Sequence, residues 1–208
     1  MEISITSVSA INGGAEIAVS VRIKSGENFE TKRIVLFSRR YSELSLSRGI
    51  ISEEDLESLE YEAEVCSAVK RGMYILGYGA CSRKNMILKL RSKGFSRESA
   101  EDASDYLLSL GYIKEEEDAI REAERCLKKL WGKRRISAFL YEKGYSEEAI
   151  NSALDSLENV DFSELCAELI SKKFGRVSND PESIRKLFAS LTRYGYSSSE
   201  IKSAIKKR

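Results

Sequence analysis

The candidate functional residues of this 208-residue chain are cations rather than nucleophiles or general bases. Ten lysines and arginines recur around three similar segments: Lys84, Lys93, Lys128, Lys129, Lys133, Arg134, Arg135, Lys143, Arg185 and Lys186. Three of them, Lys84, Arg134 and Arg185, each stand ten residues before the glycine of a repeated motif. We expect each in the first turn of a helix, where exposed amides disfavour positive charge by roughly 0.3–1 kcal/mol. Because this unfavourable placement recurs in all three copies, it suggests a function for the cations, namely binding phosphates or an acidic protein surface. The alternative is that these cations are solvated and were inherited when the segment was duplicated.

The composition offers little support for catalysis. The chain contains no histidine, which removes the commonest general base, the commonest metal ligand and every Ser-His or Cys-His nucleophile pair. The four cysteines are too widely spaced for a metal site or a disulfide framework, and Cys66, Cys126 and Cys166 are predicted to be small core residues in a reducing compartment. The glycines of segment 72–79 lack the Lys-Ser/Thr continuation of a phosphate-binding loop. We therefore predict no enzyme and no metal site.

Charge is unevenly distributed, although the formal net charge is only +1. Segment 53–64 contains seven acidic residues and no basic one, and segment 126–144 contains six basic residues and one acidic one. The acidic residues of 53–64 and 115–124 are expected on solvated helix faces. Such a distribution suggests a partner of mixed charge, or a basic face that meets phosphate while the acidic face meets protein. Because the chain has no apolar run of about 18 residues and no secretion-type start, we expect a cytoplasmic protein.

A motif of glycine, an aromatic residue and serine occurs three times, beginning at Gly94, Gly144 and Gly195. Each copy has apolar residues eight and four positions before the glycine and an alanine nine positions after it, a spacing that favours one buried face on each of two helices. The glycine can end the first helix in the left-handed conformation, and the serine can cap the second. The aromatic residue is interpreted as a plug over the helix pair.

A further helix precedes each of these pairs, over about 56–75, 115–130 and 162–174. Trp131 is interpreted as a packing residue at the corner before one pair, with base stacking as the alternative. Helix pairs that cannot bury their apolar faces alone can do so by stacking. The sequence therefore predicts three tandem three-helix repeats that form an elongated, curved array.

The start of the chain has a two-residue rather than a helical period. Alternation over 17–23, with neighbours at 3–11 and 29–37, predicts a small antiparallel β meander of three strands. A short helix capped by Ser38 and closed by Gly49 is expected next, and Ser52 with Asp55 resembles a capping box. Pro181 is expected in the first turn of a helix. The predicted protein is thus mainly α-helical, with a β-rich region at 1–48, repeats at 52–111, 112–158 and 161–208, and a flexible linker only at 175–180.

The repeat segments resemble the RecX family of regulatory proteins. The resemblance rests on three elements in a fixed order: Leu-Gly-Tyr-Ile at 110–113, Lys-x-x-Gly-x-x-Arg-Ile at 129–136 and Leu-x-x-Lys-Gly at 140–144. Segment 88–95 is similar to the same pattern. The chain departs from the family at Lys114 and Glu115, where two aspartates are usual.

The resemblance implies a regulator that has no catalytic residues and no cofactor. Family members modulate, and usually inhibit, the recombinase RecA in DNA repair and the SOS response. They bind in the groove of the RecA filament on single-stranded DNA and interfere with its recombinase and ATPase activity. We expect the ten cations to contact the RecA filament, with single-stranded DNA as an additional partner, and we expect a monomer that does not bind membranes. The alternative is an autonomous nucleic-acid-binding helical repeat module.

Overall fold

The computed structural model describes residues 1–175 and 180–207, which divide into two compact units. The first unit comprises residues 1–79 and 86–113, and the second comprises 80–85 and the chain from 114 onward. Most of the linker predicted at 175–180 lies outside the described residues. Within the described ranges, no helix is long and apolar enough to cross a membrane. The same residues contain no group of three or more acidic or cysteine side chains placed to hold a metal ion.

An antiparallel sheet of four strands, counted over the described residues, opens the first unit. The strands are β1 (Glu2–Ile11), β2 (Glu16–Ser25), β3 (Asn28–Phe37) and β4 (Gly49–Ile51), in the order β3-β2-β1-β4. The alternation predicted for β2 is confirmed, since Val19 and Val21 are fully buried. The prediction of only three strands is wrong. A strand as short as β4 has no readable alternation, and it forms because its backbone pairs with Ile3 to Ile5 of β1.

The short helix α1 (Ser38–Leu44) differs from its prediction at both ends. Ser38 does not cap it, because Phe37 occupies the cap position and the Ser38 hydroxyl donates to the carbonyl of Gly14. The helix ends at Ser45, which adopts φ 54°, and not at Gly49, which belongs to β4. Both errors arise because the sheet, rather than the local sequence, determines where this helix begins and ends.

Three longer helices follow in or at the edge of the first unit: α2 (Glu53–Leu76), α3 (Arg83–Arg91) and α4 (Arg97–Ser109). The capping box of Ser52 and Asp55 at the start of α2 is confirmed. Leu56 and Leu59 of α2 complete the core that covers one face of the sheet. Gly72 lies inside α2, where a Cβ atom would stand 2.5 Å from Leu107 Cδ1 of α4. Glycine therefore permits the close packing of these two helices.

The second unit contains the remaining helices. They are α5 (Glu115–Leu127), α6 (Lys133–Glu142), α7 (Glu147–Asp155), α8 (Phe162–Leu169), α9 (Pro181–Arg193) and α10 (Ser198–Lys206), and α8 continues into a π-helical turn, Ile170–Phe174. Pro181 is the first residue of α9, as predicted, and the Asp180 side chain caps that helix by accepting from Ser183 N–H. The helices from α2 to α10 thus form the three predicted three-helix repeats: α2–α4, α5–α7 and α8–α10.

The Gly-aromatic-Ser turns have the predicted conformation in all three copies. Gly94, Gly144 and Gly195 have φ values of 95°, 75° and 93°. The serine that follows two positions later accepts a hydrogen bond from the backbone N–H three residues on in each copy. The flanking core positions are buried: Met86, Leu90, Ala103, Ile136, Leu140, Ala153, Leu187, Leu191 and Ala204. Tyr145 and Tyr196 are buried plugs, and the Tyr196 hydroxyl donates to the carbonyl of Leu130.

All four cysteines are buried and form no disulfide with one another, in agreement with the prediction for Cys66, Cys126 and Cys166. Burial raises the pKa of the Cys66 thiol to about 11 and that of Cys166 to about 12. Both thiols therefore stay protonated at neutral pH and act as small apolar core residues.

Candidate interaction surface

The start of α3 is joined to the glycine turn of the next repeat. Ser82 Oγ and Asn85 Nδ2 each donate a hydrogen bond of 2.7 Å to the carbonyl of Lys143, at the end of α6. A Cβ atom on Gly144 would lie 3.2 Å from Lys84 Cβ. The glycine therefore serves two purposes, because it ends α6 and leaves room for the helix start that packs on it.

The start of α6 packs in the same way on the following glycine turn. Gly132 N–H donates to the carbonyl of Tyr194 at 2.8 Å, and Arg134 N–H donates to the carbonyl of Gly195 at 3.2 Å. A Cβ atom on Gly132 would lie 2.4 Å from the carbonyl carbon of Gly195, and one on Gly195 would lie 2.4 Å from Arg135 N. Two glycines that are 63 positions apart in the sequence thus form one close backbone contact.

These junctions explain why cations are tolerated at the starts of α3 and α6. Lys84 and Arg134 lie in the first helical turn, as predicted. The carbonyl-rich end of the next repeat's helix lies against that turn, and its partial negative charge offsets the unfavourable field of the helix's own amides. The prediction is wrong for Arg185. Helix α9 begins at Pro181, fourteen residues before Gly195, so Arg185 lies in the second turn.

The ten cations that the sequence predicts as partner contacts differ in their surroundings. Six lie in segment 128–143 and two in α9, whereas Lys84 precedes them in the second unit and Lys93 belongs to the first. Among the described residues, only Lys186 forms an ion pair within 4.0 Å, with Glu182 one turn earlier. Four others contact aromatic rings: Lys84, Lys129, Arg135 and Lys143. The structure thus brings most of these cations onto one unit and leaves nine of them without a carboxylate partner in the described part of the chain.

Trp131 is the centre of a group of alternating cations and aromatic rings in the second unit. The Arg135 guanidinium carbon lies 4.0 Å from the centroid of the indole ring, and Lys129 Nζ lies 5.2 Å from it. Arg135 also lies 5.2 Å from the ring centroid of Tyr194, near the end of α9. The half-buried indole packs edge-on against Phe139, which confirms the packing interpretation. Arg135 therefore reinforces the junction between the second and third repeats through both rings.

Two carboxylates that were expected on solvated faces cap helices instead. Glu64 of α2 accepts hydrogen bonds from the backbone N–H and the hydroxyl of Ser96. Glu115 of α5 accepts from Ser146 N–H at 3.4 Å and from Arg83 N–H at 2.7 Å. The signal that could have found them is their constant position, 32 and 31 residues before the capping serine of their repeat. Both carboxylates accept hydrogen bonds that cap helices, and they do not neutralise the cations of segment 128–143.

Fold and surface together define a helical repeat protein in which one segment carries a run of cations without carboxylate partners among the described residues. No family model matches the chain. Curated bacterial proteins, however, are similar to the chain in sequence. A protein of Chlorobium phaeobacteroides (strain BS1) is 32% identical over 133 residues, which cover 63% of this chain and 86% of that protein. A protein of Caldanaerobacter subterraneus subsp. tengcongensis is 25% identical over 163 residues, which cover 76% and 81%. Both are named "Regulatory protein RecX".

Solved structures agree with this assignment at the level of the fold. A crystal structure described as regulatory protein RecX has a TM-score of 0.73 and 21% identity, over 96% of this chain and 98% of that chain. RecX from Lactobacillus salivarius has a TM-score of 0.60 and 20% identity, over 69% and 96%. The chain belongs to the RecX family of regulatory proteins.

Proposed function

We propose that this protein is a cytoplasmic regulator of RecA that binds the RecA filament on single-stranded DNA and inhibits its ATPase and recombinase activity. One observation carries the proposal most directly. In a member of the RecX family, segment 128–143 presents six cations for which no carboxylate lies within 4.0 Å among the described residues. Cations that the fold does not neutralise favour a partner with a negative surface.

Packing contacts also fix part of the cation-rich segment, which suits a binding surface. Its helix start is fixed by the contact of Gly132 with Gly195, and Arg135 is held between Trp131 and Tyr194. Side chains that are ordered before binding lose less conformational entropy when the partner arrives. We infer that the segment is a preformed contact surface for the filament.

The test is the rate of ATP hydrolysis by RecA on single-stranded DNA in the presence of this protein. We expect substoichiometric amounts to slow hydrolysis, because a groove-bound regulator acts on a filament rather than on single subunits. A variant with Lys129 and Arg134 changed to glutamate should inhibit on the order of tenfold less well. An unchanged rate at equimolar protein would contradict the proposal.

A second candidate is a nucleic-acid-binding module that acts without RecA, and the surroundings of Trp131 favour it. A half-buried indole flanked by Lys129 and Arg135 is an arrangement that single-stranded nucleic acid uses for stacking and phosphate contact. Trp131 is the only tryptophan, so its fluorescence reports on this place alone. Quenching by an oligonucleotide that weakens steeply with salt would support this candidate. Unchanged fluorescence at low salt would remove it.

A further inference from the structure

Two surface grooves, one in the second repeat and one in the third, overlap at equivalent positions of α6 and α9. The first encloses about 640 Å³ and is lined by Arg134, Ala138 and Tyr141 of α6 with Tyr145, Glu147 and Ile150 at and after the glycine turn. The second encloses about 560 Å³ and is lined by Pro181, Ile184, Arg185, Phe188 and Ala189 of α9. In both, an arginine ten residues before the repeat glycine stands one helical turn before an exposed alanine, Ala138 or Ala189, on the same helix face.

Both grooves combine apolar side chains with an arginine that the fold does not use, and the first groove also contains the polar residues Ser137, Glu147 and Asn151. Neither the Arg134 nor the Arg185 side chain forms an ion pair or side-chain hydrogen bond with a residue of the described ranges. The apolar parts are accessible, since Tyr141 is 71% exposed and Ile184 is 37% exposed. Apolar surface beside an unpaired guanidinium matches a ligand that places an apolar side chain next to a carboxylate.

The lining favours a protein over nucleic acid as the occupant. Glu147 stands at the first groove and would repel a phosphodiester chain, which carries a charge at every nucleotide, more than a protein segment with a single carboxylate beside Arg134. The second groove offers aliphatic and aromatic carbon around a single cation, which suits a leucine-like or phenylalanine-like side chain better than a phosphate.

We propose that the grooves at Ala138 and Ala189 bind two apolar side chains of a protein partner, each adjacent to a carboxylate that pairs with Arg134 or Arg185. The inference rests on the proposed function and names the chemistry by which the filament is recognised. Two equivalent grooves in one compact unit suit a polymeric partner, because identical subunits present the same pair of groups repeatedly. Simultaneous occupancy then strengthens binding beyond that of either groove.

Filling the grooves tests the proposal without changing charge. Ala138→Trp and Ala189→Trp place a large side chain at an exposed helical position, so the fold is expected to tolerate them. Each should weaken binding to the RecA filament on the order of tenfold, and the double variant should weaken it further. The matched controls, Ala138→Ser and Ala189→Ser, leave the grooves open and should bind within about twofold of the wild type. Arg134→Gln with Arg185→Gln tests the carboxylate contact and should also lose about tenfold.

The outcomes separate this inference from the proposed function. If the wild-type protein does not bind the filament, the proposed function fails and the inference fails with it. If the wild type binds and the folded double tryptophan variant binds equally well, only the inference is overturned. Circular dichroism and the thermal midpoint establish that the variants are folded. Loss of binding to an isolated oligonucleotide in the tryptophan variants, with filament binding retained, would also overturn it, because the grooves would then take nucleic acid.

Discussion

Helix α5 and the segment that follows it, 128–143, are neighbours in sequence but differ in whether their cations form ion pairs with carboxylates. In and just before α5, Lys114 pairs with Glu117, Arg121 with Asp118 and Arg125 with Glu122, each one turn away. In segment 128–143, the six cations find no carboxylate within 4.0 Å among the described residues, although Glu142 lies in the same segment. Two segments with many cations therefore present different surfaces.

The number of cations in a segment therefore does not by itself define a binding surface. Local pairs such as those of α5 add a few tenths of a kcal/mol to helix stability and leave little net field. Cations without partners contribute little to the fold and instead act on whatever approaches from solvent. The comparison also explains how a chain with a net charge of +1 can carry a strongly cationic region.

The largest expected effect comes from disturbing the junction that positions segment 128–143. Gly132→Ala places a Cβ atom 2.4 Å from backbone of the Gly195 turn, so the junction must open. We expect a loss of about 3 kcal/mol in the free energy of unfolding, measured by urea denaturation. The matched variant Gly94→Ala meets nothing within 4 Å and should lose only about 1 kcal/mol, the cost of its positive φ. Equal losses in the two variants would show that the close contact is unimportant.

The next effect tests the pairing within α5. Arg121→Ala leaves the carboxylate of Asp118, a residue only 5% exposed, without its partner. We expect a loss on the order of 1–2 kcal/mol in the free energy of unfolding, because a buried charge loses its compensation. Filament binding should stay within about twofold of the wild type. Weakened binding with unchanged stability would mean that α5 also contacts the partner.

In segment 128–143 we expect the opposite result, in which filament binding weakens while stability is retained. Lys133→Glu places an acid in the first turn of α6, where the amides of the helix favour negative charge but the carbonyl-rich end of α9 lies against the same turn. Because these two effects oppose each other, the thermal midpoint should stay within the equivalent of roughly 0.3–1 kcal/mol of the wild type. Filament affinity should nevertheless fall about tenfold, because one cation of the surface is replaced by an anion. Unchanged affinity would remove Lys133 from the proposed contact.

The smallest effect at neutral pH concerns the buried thiols of Cys66, Cys126 and Cys166. Burial raises the pKa of Cys126, at the end of α5, although Lys129, Arg135 and Lys143 act in the opposite direction. Burial likewise raises the pKa of Cys66 to about 11 and of Cys166 to about 12. Unfolded thiols ionise near pH 9 while the folded ones stay protonated, so their contribution to stability is complete below pH 9 and declines as the pH rises toward 11. Urea midpoints should be flat between pH 6 and 8 and fall above pH 9; a fall already at pH 7.5 would contradict the burial of these thiols.

The repeat architecture could be predicted from sequence because each turn depends on local residues. A glycine that tolerates positive φ and a serine that caps the next helix lie two positions apart, and Gly144 with Ser146 behave as their spacing indicates. The β4 strand and the ends of α1 could not be predicted, because they depend on pairing with a distant strand.

The sequence indicates which residues could form the proposed surface, but not their geometry. The spacing before each glycine identified Arg134 and Arg185 as equivalent, and both line grooves. Spacing gave no sign that Gly132 contacts Gly195, since that contact joins two repeats. The sequence likewise does not distinguish paired from unpaired cations, because pairing depends on where each carboxylate points in the folded chain.

The most direct test compares two double variants that remove the same charge from the two regions. Lys128→Ala with Lys133→Ala deletes two cations without partners among the described residues, and Lys114→Ala with Arg125→Ala deletes two paired ones. The measurement is the concentration of each protein that halves single-strand-dependent ATP hydrolysis by RecA. We predict an increase on the order of tenfold for the first variant and less than about twofold for the second. Equal shifts in the two variants would contradict the claim that unpaired cations form the contact surface.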